Sequence, residues 1–524
     1  MENDLQKLPI GIQSFKKLKT NNYLYVDKTK DIYNLILEGT NYFLSRPRRF
    51  GKSLLISTLE NLFLGKKELF KDLYIYDKWN WNKTYPVIRI DFSGGILRSG
   101  DDLKYYLIDV IEEIAELYNI TLKHKKVDGK FRELIKNLYG KHGKVVVLVD
   151  EYDKPVLDNI SYPTVRDEMK EILHDFYQIL KSQDDNLRFV FLTGVSKFVG
   201  TSIFSGLNNL IDITLSNKFS TICGYTQDEL ENYFKLYIVN LSKEFDIDVE
   251  STLLSIKEWY NGYSWDGKNF VYNPQSTLSL FGEMEFNNYW FKTGTPTFLL
   301  EILKGKNTLN KIFSQVEAGS EILDAYDPEN IPLVPLMFQS GYLTIHRKEI
   351  IDLRINYLLS IPNTEVKDSL IKYLMNISMD YPLNQVNDLR DRMRRNFLNM
   401  DDEGLNFNLR EMLASIPYNL YNDNEAYFHS IFLLWLNLLG FKIEGEVITN
   451  IGQMDAVLII EDLAIIVEIK FGKNKNKIDD LLVKALNQIK DNRYYEKYLK
   501  HDLVFLGVVF ADNEVKCEFK RLNI

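Results

Sequence analysis

The sequence predicts an α/β protein in three parts: an N-terminal domain on a parallel sheet (1–220), a mainly helical lid and connecting region (221–395), and a smaller α/β domain (396–524). Two observations indicate this. Short apolar runs alternate with helical patterns in the first part, as in parallel sheets covered by helices on both faces. A new series of apolar strands then follows an amphipathic helix near the C-terminus. The length of 524 residues allows several domains.

The N-terminal domain is predicted from five segments. A helix is expected for "SLLISTLENLFL" (53–64). Strands are expected for "NYFLSR" (41–46), "PVIRIDF" (86–92), "KVVVLVDE" (144–151) and "LRFVFLTGV" (187–195). Each strand is a continuous apolar run bounded by turn residues, which is typical of a strand buried on both faces.

The C-terminal domain is predicted from a second set of segments. An amphipathic helix (424–440) precedes strands at "KIEGEVI" (442–448), "MDAVLII" (454–460) and "LAIIVEIK" (463–470), a helix at about 477–499 and a closing strand "LVFLGVVF" (503–510). The polar pair Glu461-Asp462 between two of the strands suits a two-residue hairpin turn. The order predicts a compact α/β unit.

Composition excludes several classes of protein. Hydrophobic residues make up 45% and charged residues 26%, the balance of an ordinary globular protein, and the net charge of −9 leaves no whole-chain basic footprint for nucleic acid. Only Cys223 and Cys517 could form a disulfide, so a disulfide framework is excluded and a reducing cytoplasm fits best. The N-terminus lacks an apolar signal region, and the apolar run 431–440 is too short to span a bilayer, so we expect a soluble cytoplasmic protein.

The segment "SRPRRFGKS" (45–53) contains the end of a phosphate-binding loop. Gly51, Lys52 and Ser53 match the last three residues of G-x-x-x-x-G-K-[ST], but Arg46 stands where the pattern has its first glycine. A strand leads into the loop and a helix leads out, which is the context that the motif requires. The alternative is a basic surface turn capped by Ser53.

Acidic and polar groups end two other predicted strands. The run 144–149 delivers Asp150 and Glu151, and "LRFVFLT" delivers Thr193. Ligands in parallel sheets bind at the carboxyl ends of the strands. We expect Ser53 and Asp150 to hold Mg²⁺, Glu151 to accept a proton from the attacking water, and Thr193 to sense the γ-phosphate.

A second constellation lies in "GQMDAVLIIEDLAIIVEIK" (452–470). Asp455 begins one strand of the predicted hairpin and Glu468 ends the next, so the two carboxylates can meet and bind a divalent cation. Strand alternation places Lys470 on the same face as Glu468. Metal and lysine together suit phosphodiester hydrolysis, although D-x₁₂-E-x-K also occurs by chance in many chains.

Three further features have more ordinary interpretations. The basic stretch "DLRDRMRRNFL" (388–398) is most simply a solvated helix face. His429, one helical turn after Glu425, is more often a packing residue or hydrogen-bond partner than a ligand. The net charge of +4 over 471–500, from eight basic and four acidic residues, suits a phosphate-binding edge and equally a solvated helix.

The N-terminal motifs resemble the AAA-ATPase-like family of bacteria and archaea. The similarity covers roughly 5–305 and rests on "LPIGIQSFKKLKTNNYLYVDKT", "RPRRFGKS", "VDEYDKP", "LTGVSKF", "YNGYSWDG" and "NYWFKTGTPTFL". Arginine at the first loop position is usual in that family, so the resemblance implies an ATP site in which Arg46, Arg48 and Arg49 add positive charge beside the phosphates. Spacing leaves open whether these arginines contact the nucleotide or pack elsewhere. No arginine finger can be assigned from the sequence.

The C-terminal pattern resembles the PD-(D/E)XK nuclease superfamily, which is fused at this position in many members of the ATPase-like family. The resemblance implies that Asp455 and Glu468 are metal ligands for Mg²⁺ or Mn²⁺ and that Lys470 is the catalytic lysine. Glu425 matches an acidic residue on the preceding helix, and Gln488 matches a glutamine on the following one. Gly452 stands in place of the proline that names the motif.

The sequence supports three functional hypotheses. The leading one is a nuclease regulated by Mg-ATP that cuts DNA, with RNA second, and the resemblance implies a role in defence against foreign nucleic acid or in mobile-element biology. The second is an ATP-driven switch or scaffold whose nuclease fold binds nucleic acid without cutting it. The third is a pseudo-ATPase with permanently bound nucleotide and an active nuclease. A homo-oligomer is open in each case.

Overall fold

The computed structural model describes residues 5–197, 209–290, 316–319, 332–379, 383–414, 428–429, 432–433, 435–436, 441–448, 453–472, 474–511 and 514–521. The chain divides into two compact units, Met1–Val366 and Lys367–Ile524. The sequence-based boundaries at 220 and 395 stay predictions.

The first unit is built on a five-stranded parallel sheet in the order β2-β3-β4-β1-β5. The strands are β1 (Asn41–Ser45), β2 (Val87–Asp91), β3 (Val145–Asp150), β4 (Leu187–Gly194) and β5 (Ile211–Asp212). Every residue of β3 is buried, as expected for a central strand covered on both faces. The predicted parallel sheet is confirmed.

Helices surround this sheet. They are α1 (Phe15–Thr20), α2 (Thr29–Glu38), α3 (Lys52–Phe63), α4 (Gly100–Leu117), α5 (Val127–His142), α6 (Lys154–Leu157) and α7 (Pro163–Ser182). Helix α3 lies between β1 and β2 in the chain, where the sequence predicts it. Its core-facing side includes Leu55, Leu59 and Leu62, all nearly or fully buried.

The lid region contains four helices among the described residues: α8 (Gln227–Tyr233), α9 (Lys235–Glu244), α10 (Val249–Tyr260) and α11 (Pro274–Glu283). Thr226 and Glu229 form a capping box at the start of α8. Lys28 Nζ lies 2.7 Å from Glu229 Oε2 and also donates to the carbonyl of Thr221 at 2.9 Å, which ties this helix to the N-terminal segment.

The prediction of a mainly helical middle region missed a three-stranded antiparallel sheet in the order β6-β8-β7. Its strands are β6 (Val316–Gly319), β7 (Thr344–Ile351) and β8 (Arg354–Ser360), and helix α12 (Leu333–Ser340) precedes β7. Strands β7 and β8 carry charged and apolar residues without clean alternation, so their periodicity is weak. Helix α13 (Thr364–Met379) follows.

The second unit contains a mixed sheet in the order β13-β12-β11-β10-β9. Its elements are α14 (Leu383–Asn399), α15 (Asp402–Ala414), β9 (Lys442–Ile448), β10 (Gln453–Ile460), β11 (Leu463–Gly472), α16 (Ile478–Asp491), β12 (Asp502–Ala511) and β13 (Glu514–Arg521). Strands β10 and β11 form the predicted hairpin, because Ile460 pairs with Leu463 across Glu461-Asp462.

Two predictions for this unit are wrong in detail. The strand at 503–510 does not close the domain, since β13 pairs with it in antiparallel register. Strand β13, "EVKCEFKR", is largely polar and gives little apolar signal. The helix expected to reach 499 ends at Asp491, and a short 3-10 helix occupies Tyr494–Tyr498. Helix α16 packs on β11 and β12.

Both cysteines, Cys223 and Cys517, are buried free thiols. Across the part of the chain that the structure describes, no helix combines the length and apolarity needed to cross a bilayer.

Candidate functional site

The predicted phosphate loop runs from the end of β1 to the start of α3. Gly51 immediately precedes α3 with φ +89°, a left-handed conformation that favours glycine. Arg49 also has positive φ, at 69°, whereas Arg46 is not among the residues with positive φ. The backbone at 46 therefore does not need a glycine, which explains how this loop forms with arginine at the first motif position.

The loop is packed from behind by the region around β7. The Cβ that a side chain would add at Gly341 would lie 2.9 Å from Pro47 Cβ, and the φ of Gly341 is +91°. The indole N–H of Trp290 donates to the carbonyl of Arg48 at 3.1 Å. Through these contacts the loop packs against Gly341 and Trp290, which belong to the same unit.

Lys52 is buried and its ammonium lies inside the loop. Nζ donates to the carbonyls of Arg46 and Pro47, both at 2.9 Å. Burial lowers the pKa of Lys52, while the nearby carboxylates Asp150 and Glu151 raise it. The cation is thus held beside the carboxyl ends of the strands.

The Arg46 side chain packs into the interior beside the loop. Its guanidinium is fully buried and donates to the carbonyls of Ser45 at 2.8 Å and Thr214 at 2.9 Å, with a longer contact to Phe219 at 3.4 Å. It also lies 3.9 Å from the centre of the Trp265 ring. Burial lowers the pKa of Arg46 to about 10, so the group stays charged at neutral pH.

These contacts anchor Arg46 on carbonyls and an indole, and its assignment to the phosphates stays a prediction. Arg48 and Arg49 instead line the cleft at the loop.

Asp150, Thr193 and Glu151 come together at the ends of β3 and β4. Thr193 Oγ1 donates to Asp150 Oδ1 at 2.6 Å, and the backbone N–H of Glu151 donates to the same oxygen at 3.1 Å. Asp150 is fully buried, and its Oδ2 has no hydrogen-bond partner among the described residues. A buried carboxylate oxygen that accepts no hydrogen bond is suited to bind a cation.

Glu151 has φ +52°, which is unfavourable for a residue other than glycine. Burial raises the pKa of Glu151, Lys52 opposes that rise, and Asp150 adds to it. A partly buried carboxyl with a raised pKa is better suited to accept a proton near neutral pH than an exposed one.

Sequence reasoning missed two acids at this edge. Asp91 is the last residue of β2 and pairs in register with Asp150. Arg89 lies 3.5 Å from Asp91 Oδ2 and 2.9 Å from Glu60 Oε2 on α3. The signal was present, since "PVIRIDF" is an apolar strand that ends in aspartate as "VVVLVDE" does.

The second missed acid is Asp153, which is buried after β3. Its Oδ2 accepts the backbone N–H groups of Val195 at 2.9 Å and Ser196 at 2.6 Å, and burial raises the pKa of Asp153 to about 6. It fixes the segment after β4 next to Glu151.

Two adjoining cavities surround the loop. One of about 400 Å³ has a mixed polar and apolar lining that includes the loop residues Arg48, Arg49, Lys52 and Ser53 together with Glu151. The other, about 70 Å³, is mostly apolar and is lined by Leu55, Ile222, Tyr225 and neighbours. They share Pro9, Gly51, Leu54, Tyr225 and Pro274. A single cleft therefore offers a cationic end and an apolar end.

In the second unit, the hairpin brings Asp455, Glu468 and Lys470 to one end of the sheet. Ala456 pairs with Val467, so Asp455 and Glu468 are neighbours across the two strands. The backbone N–H of Ile469 donates to Asp455 Oδ2 at 2.7 Å. Lys470 Nζ donates to Oε1 of the buried Glu468 at 2.7 Å.

The structure describes one of the two other residues predicted for this site. Gln488 lies half-buried on α16, and Glu425 lies outside the described residues. His429 Nε2 is 3.5 Å from Asp455 Oδ1, so the ring adjoins the site. Within the described ranges, no group of three His, Cys, Asp or Glu side chains has the arrangement of a metal site.

The two carboxylates nevertheless fit a divalent cation. Asp455 uses Oδ2 for a backbone hydrogen bond, which leaves Oδ1 facing the imidazole, and both ligands are hard oxygen donors of the kind that Mg²⁺ prefers. Lys470 offsets the buried charge of Glu468.

The basic stretch at 388–398 is part of α14, and two of its arginines pair with acids of the same unit. Arg392 lies 3.0 Å from Glu411, and Arg394 lies 2.7 Å from Glu461. Both arginine side chains are more than a third exposed, as expected for a solvated helix face.

Comparison with known proteins finds two protein-family models and a relative that match this chain. A protein-family model described as "Predicted AAA-ATPase" matches residues 9–204, and one described as "PD-(D/E)XK nuclease superfamily" matches residues 423–520. An uncharacterized protein in the vnfD 5′ region of Azotobacter chroococcum mcd 1 is 38% identical over 520 residues, covering 97% of this chain and 96% of that protein. The chain belongs to the AAA-ATPase-like family and carries a C-terminal domain of the PD-(D/E)XK nuclease superfamily.

Solved structures show weaker likenesses, each at 12% identity. The match to the Aeropyrum pernix ORC1 protein in complex with DNA covers 66% of this chain and 91% of that one, with a TM-score of 0.24. The matches to the Aeropyrum pernix ORC2 protein and to Cdc6p from Pyrobaculum aerophilum have TM-scores of 0.27 and 0.23, and each covers 72% of this chain and 96% of the other.

Proposed function

We propose that this protein is a metal-dependent nuclease regulated by ATP, acting on DNA in preference to RNA. The observation that carries the proposal is the meeting of Asp455, Glu468 and Lys470 at one end of a hairpin, in a chain that also has a phosphate loop. A role in defence against foreign nucleic acid is part of the hypothesis.

In the first unit, the cationic end of the cleft is proposed to take the ATP phosphates and the apolar end the base. Lys52 would exchange its two loop carbonyls for phosphate oxygens, and Arg49 would add charge from the rim. Ser53 and Asp150 would hold Mg²⁺, which neutralises phosphate charge when bound. Asp150 supports this assignment through its buried Oδ2.

Glu151 and Thr193 are proposed to act on the attacking water and the γ-phosphate. The burial that raises the pKa of Glu151 makes its carboxylate a stronger base, and the nearby Lys52 opposes that rise. The Thr193 hydroxyl donates a hydrogen bond to Asp150, so loss of the γ-phosphate beside Thr193 would also alter the hydrogen bonding of the proposed metal ligand Asp150.

In the second unit, Asp455 and Glu468 are proposed to hold Mg²⁺ or Mn²⁺, which supplies an activated water and neutralises the scissile phosphate. Lys470 is held on the same face by its ion pair with Glu468, which positions its ammonium for the phosphate or the water. Glu425 and Gln488 remain candidates for completing the site.

A second candidate function has one observation in its favour. Asp455 Oδ2 accepts the backbone N–H of Ile469, and Glu468 Oε1 accepts from Lys470, and carboxylates held in protein hydrogen bonds also suit a domain that binds nucleic acid without cutting it. In that case the ATPase-like module would act as a switch or scaffold.

The first test is a cleavage assay on single- and double-stranded DNA with Mg²⁺ or Mn²⁺, with and without ATP. Wild type is compared with Asp455→Ala and with Asp502→Ala, an exposed aspartate at the opposite end of the same sheet. Cleavage by wild type and Asp502→Ala but not by Asp455→Ala supports the nuclease. If wild type cuts neither DNA nor RNA, the switch becomes the better proposal.

Metal binding is tested separately by titration calorimetry with Mn²⁺. Asp455→Ala is expected to abolish the site in the second unit, and Asp502→Ala to leave it. Coupling is tested with Lys52→Ala against Lys66→Ala, an exposed lysine just beyond α3. Loss of ATP-dependent cleavage only in Lys52→Ala would show that nucleotide controls the nuclease.

A further inference from the structure

The turn between β7 and β8 exposes large aliphatic side chains. Leu353 is 96% exposed, Ile350 70% and Ile351 50%. They lie next to one another at the tip of a tight hairpin, because Ile351 pairs with Arg354 across the two-residue turn Asp352-Leu353. Residues 350–354 form what we call the β7–β8 tip.

The turn conformation makes leucine an unexpected choice. Asp352 has φ +49° and Leu353 φ +63°. A two-residue turn with positive φ at both positions is normally built from Asn-Gly or Asp-Gly, since a leucine side chain is strained there. Leu353 is also almost fully exposed, so it gains no burial in this fold that would offset the strain. An outlier without a folding benefit points to a function.

The tip is flanked by more positive than negative charge. Arg347, Lys348 and Arg354 stand against Glu349 and Asp352, in a chain whose net charge is −9. Arg347 pairs with Glu349, and Arg354 has no ion-pair partner within the described residues. Since Ile351 and Arg354 are directly opposed in the hairpin, their side chains share one face.

We propose that the β7–β8 tip is a duplex-DNA contact that enters the minor groove, with Ile351 and Leu353 as the apolar wedge and Arg354 on the adjoining phosphate or base edge. Minor-groove proteins combine inserted leucine or isoleucine with arginine in this way. The site lies in the first unit and uses no residue of the nuclease site. This proposal adds a DNA-binding element to the proposed function. It rests on the proposed function only for the choice of DNA as the bound molecule.

The test measures binding of the full chain to a fluorescein-labelled duplex of about 30 base pairs containing flexible TA steps, by anisotropy in EDTA so that no cleavage occurs. The main variant is Leu353→Gly, because glycine suits φ +63° and removes the side chain without straining the turn. Leu353→Met keeps an apolar tip, and Leu254→Ser is the control at an exposed leucine on α10.

Leu353→Gly is expected to weaken binding about tenfold, which is the loss expected for one buried leucine side chain. Leu254→Ser should bind within about twofold of wild type, a spread typical of surface substitutions. Leu353→Met should bind more tightly than Leu353→Gly, because it keeps an apolar side chain at the tip. Arg354→Gln should lower the slope of log affinity against log salt by about one.

Unchanged binding by Leu353→Gly overturns the proposal. Absence of duplex binding by wild type also overturns it. A third contrary result is self-association of wild type, measured by sedimentation velocity, that is lost in Leu353→Gly, since the tip would then contact a second copy of the chain. The cleavage assay on wild type tests the nuclease proposal independently of the tip. If wild type cleaves DNA and Leu353→Gly binds it as wild type does, only the proposal for the tip is overturned. If Leu353→Gly binds more weakly and wild type does not cleave, only the nuclease proposal is overturned.

Discussion

The indole N–H of Trp290 donates a hydrogen bond to the backbone carbonyl of Arg48 at 3.1 Å, across 242 positions of sequence. Trp290 is fully buried, its ring lies 5.2 Å from that of Tyr342, and its backbone N–H donates to Glu365 Oε1 at 2.7 Å. The phosphate loop is therefore hydrogen-bonded directly to a buried core outside the sheet.

Trp290 is expected to report nucleotide binding. If Lys52 leaves the loop carbonyls for phosphate, the carbonyl of Arg48 shifts and the environment of the indole changes. We expect ATP to change tryptophan fluorescence in wild type and in Trp259→Phe, and to change it much less in Trp290→Phe. Equal signals in the two variants would show that the loop does not move at Arg48.

Arg46 and Arg49 are expected to have opposite phenotypes. Arg46→Ala leaves buried carbonyls without their donor, which should cost at least about 3 kcal/mol of the free energy of unfolding. Arg49→Ala removes a charge at the cleft, so its stability should stay within about 0.5 kcal/mol of wild type while ATP affinity falls. Calorimetric melting and nucleotide titration of both variants test this.

A stable Arg46→Ala that binds ATP weakly would contradict the structural assignment. It would restore the expectation from the family resemblance that Arg46 serves the phosphates.

Lys470 is expected to have separable roles in stability and activity. Glu468 is almost fully buried and Lys470 lies 2.7 Å from it, so Lys470→Met removes a cationic partner of a buried carboxylate. Removing one partner of a buried ion pair costs about 3–5 kcal/mol, and we expect the lower end here because Lys470 is partly exposed. The double variant Lys470→Met/Glu468→Gln should recover most of the lost stability, but it should remain unable to cleave DNA.

Melting temperatures and cleavage rates of the single and double variants decide this. Cleavage by the stable double variant would remove both residues from the proposed chemistry.

Glu365 is expected to make stability depend on pH. Burial raises the pKa of Glu365 from 4.5 to about 7, although the N–H of Trp290 and the hydroxyl of Ser276 oppose the rise. The folded state therefore holds a proton that the unfolded chain has lost between pH 4.5 and 7, so stability falls as pH rises through this window. At a pH of about 8 the full penalty applies, at most about 3 kcal/mol.

Glu365→Gln removes this titration. Relative to wild type, its melting temperature should be higher at a pH of about 8 than at about 5 by several degrees. Glu168→Gln, at an exposed carboxyl on α7, serves as the control. A difference that does not change with pH would show that Glu365 is ionised in the folded protein throughout.

Much of the fold could be predicted because it depends on local patterns. Continuous valine and leucine runs identify β3 and β4, and the Glu461-Asp462 break identifies the β10–β11 hairpin. Strands β7, β8 and β13 escape prediction because their residues are mixed, and only pairing with neighbouring strands stabilises them. Asp91 escapes as a site residue although its strand is predicted, since its position opposite Asp150 depends on sheet order.

By itself the sequence determined the chemistry available to this protein: the residue types at 51–53, 150–151, 455, 468 and 470 follow from local motifs in strand and helix context. Only the tertiary structure decided where each side chain points. Arg46 and Arg49 are indistinguishable as letters, but one is turned into the core by Thr214 and Trp265 and the other faces the cleft. The physical reason is that burial and hydrogen-bond partners come from segments far away in the chain, which no local pattern contains.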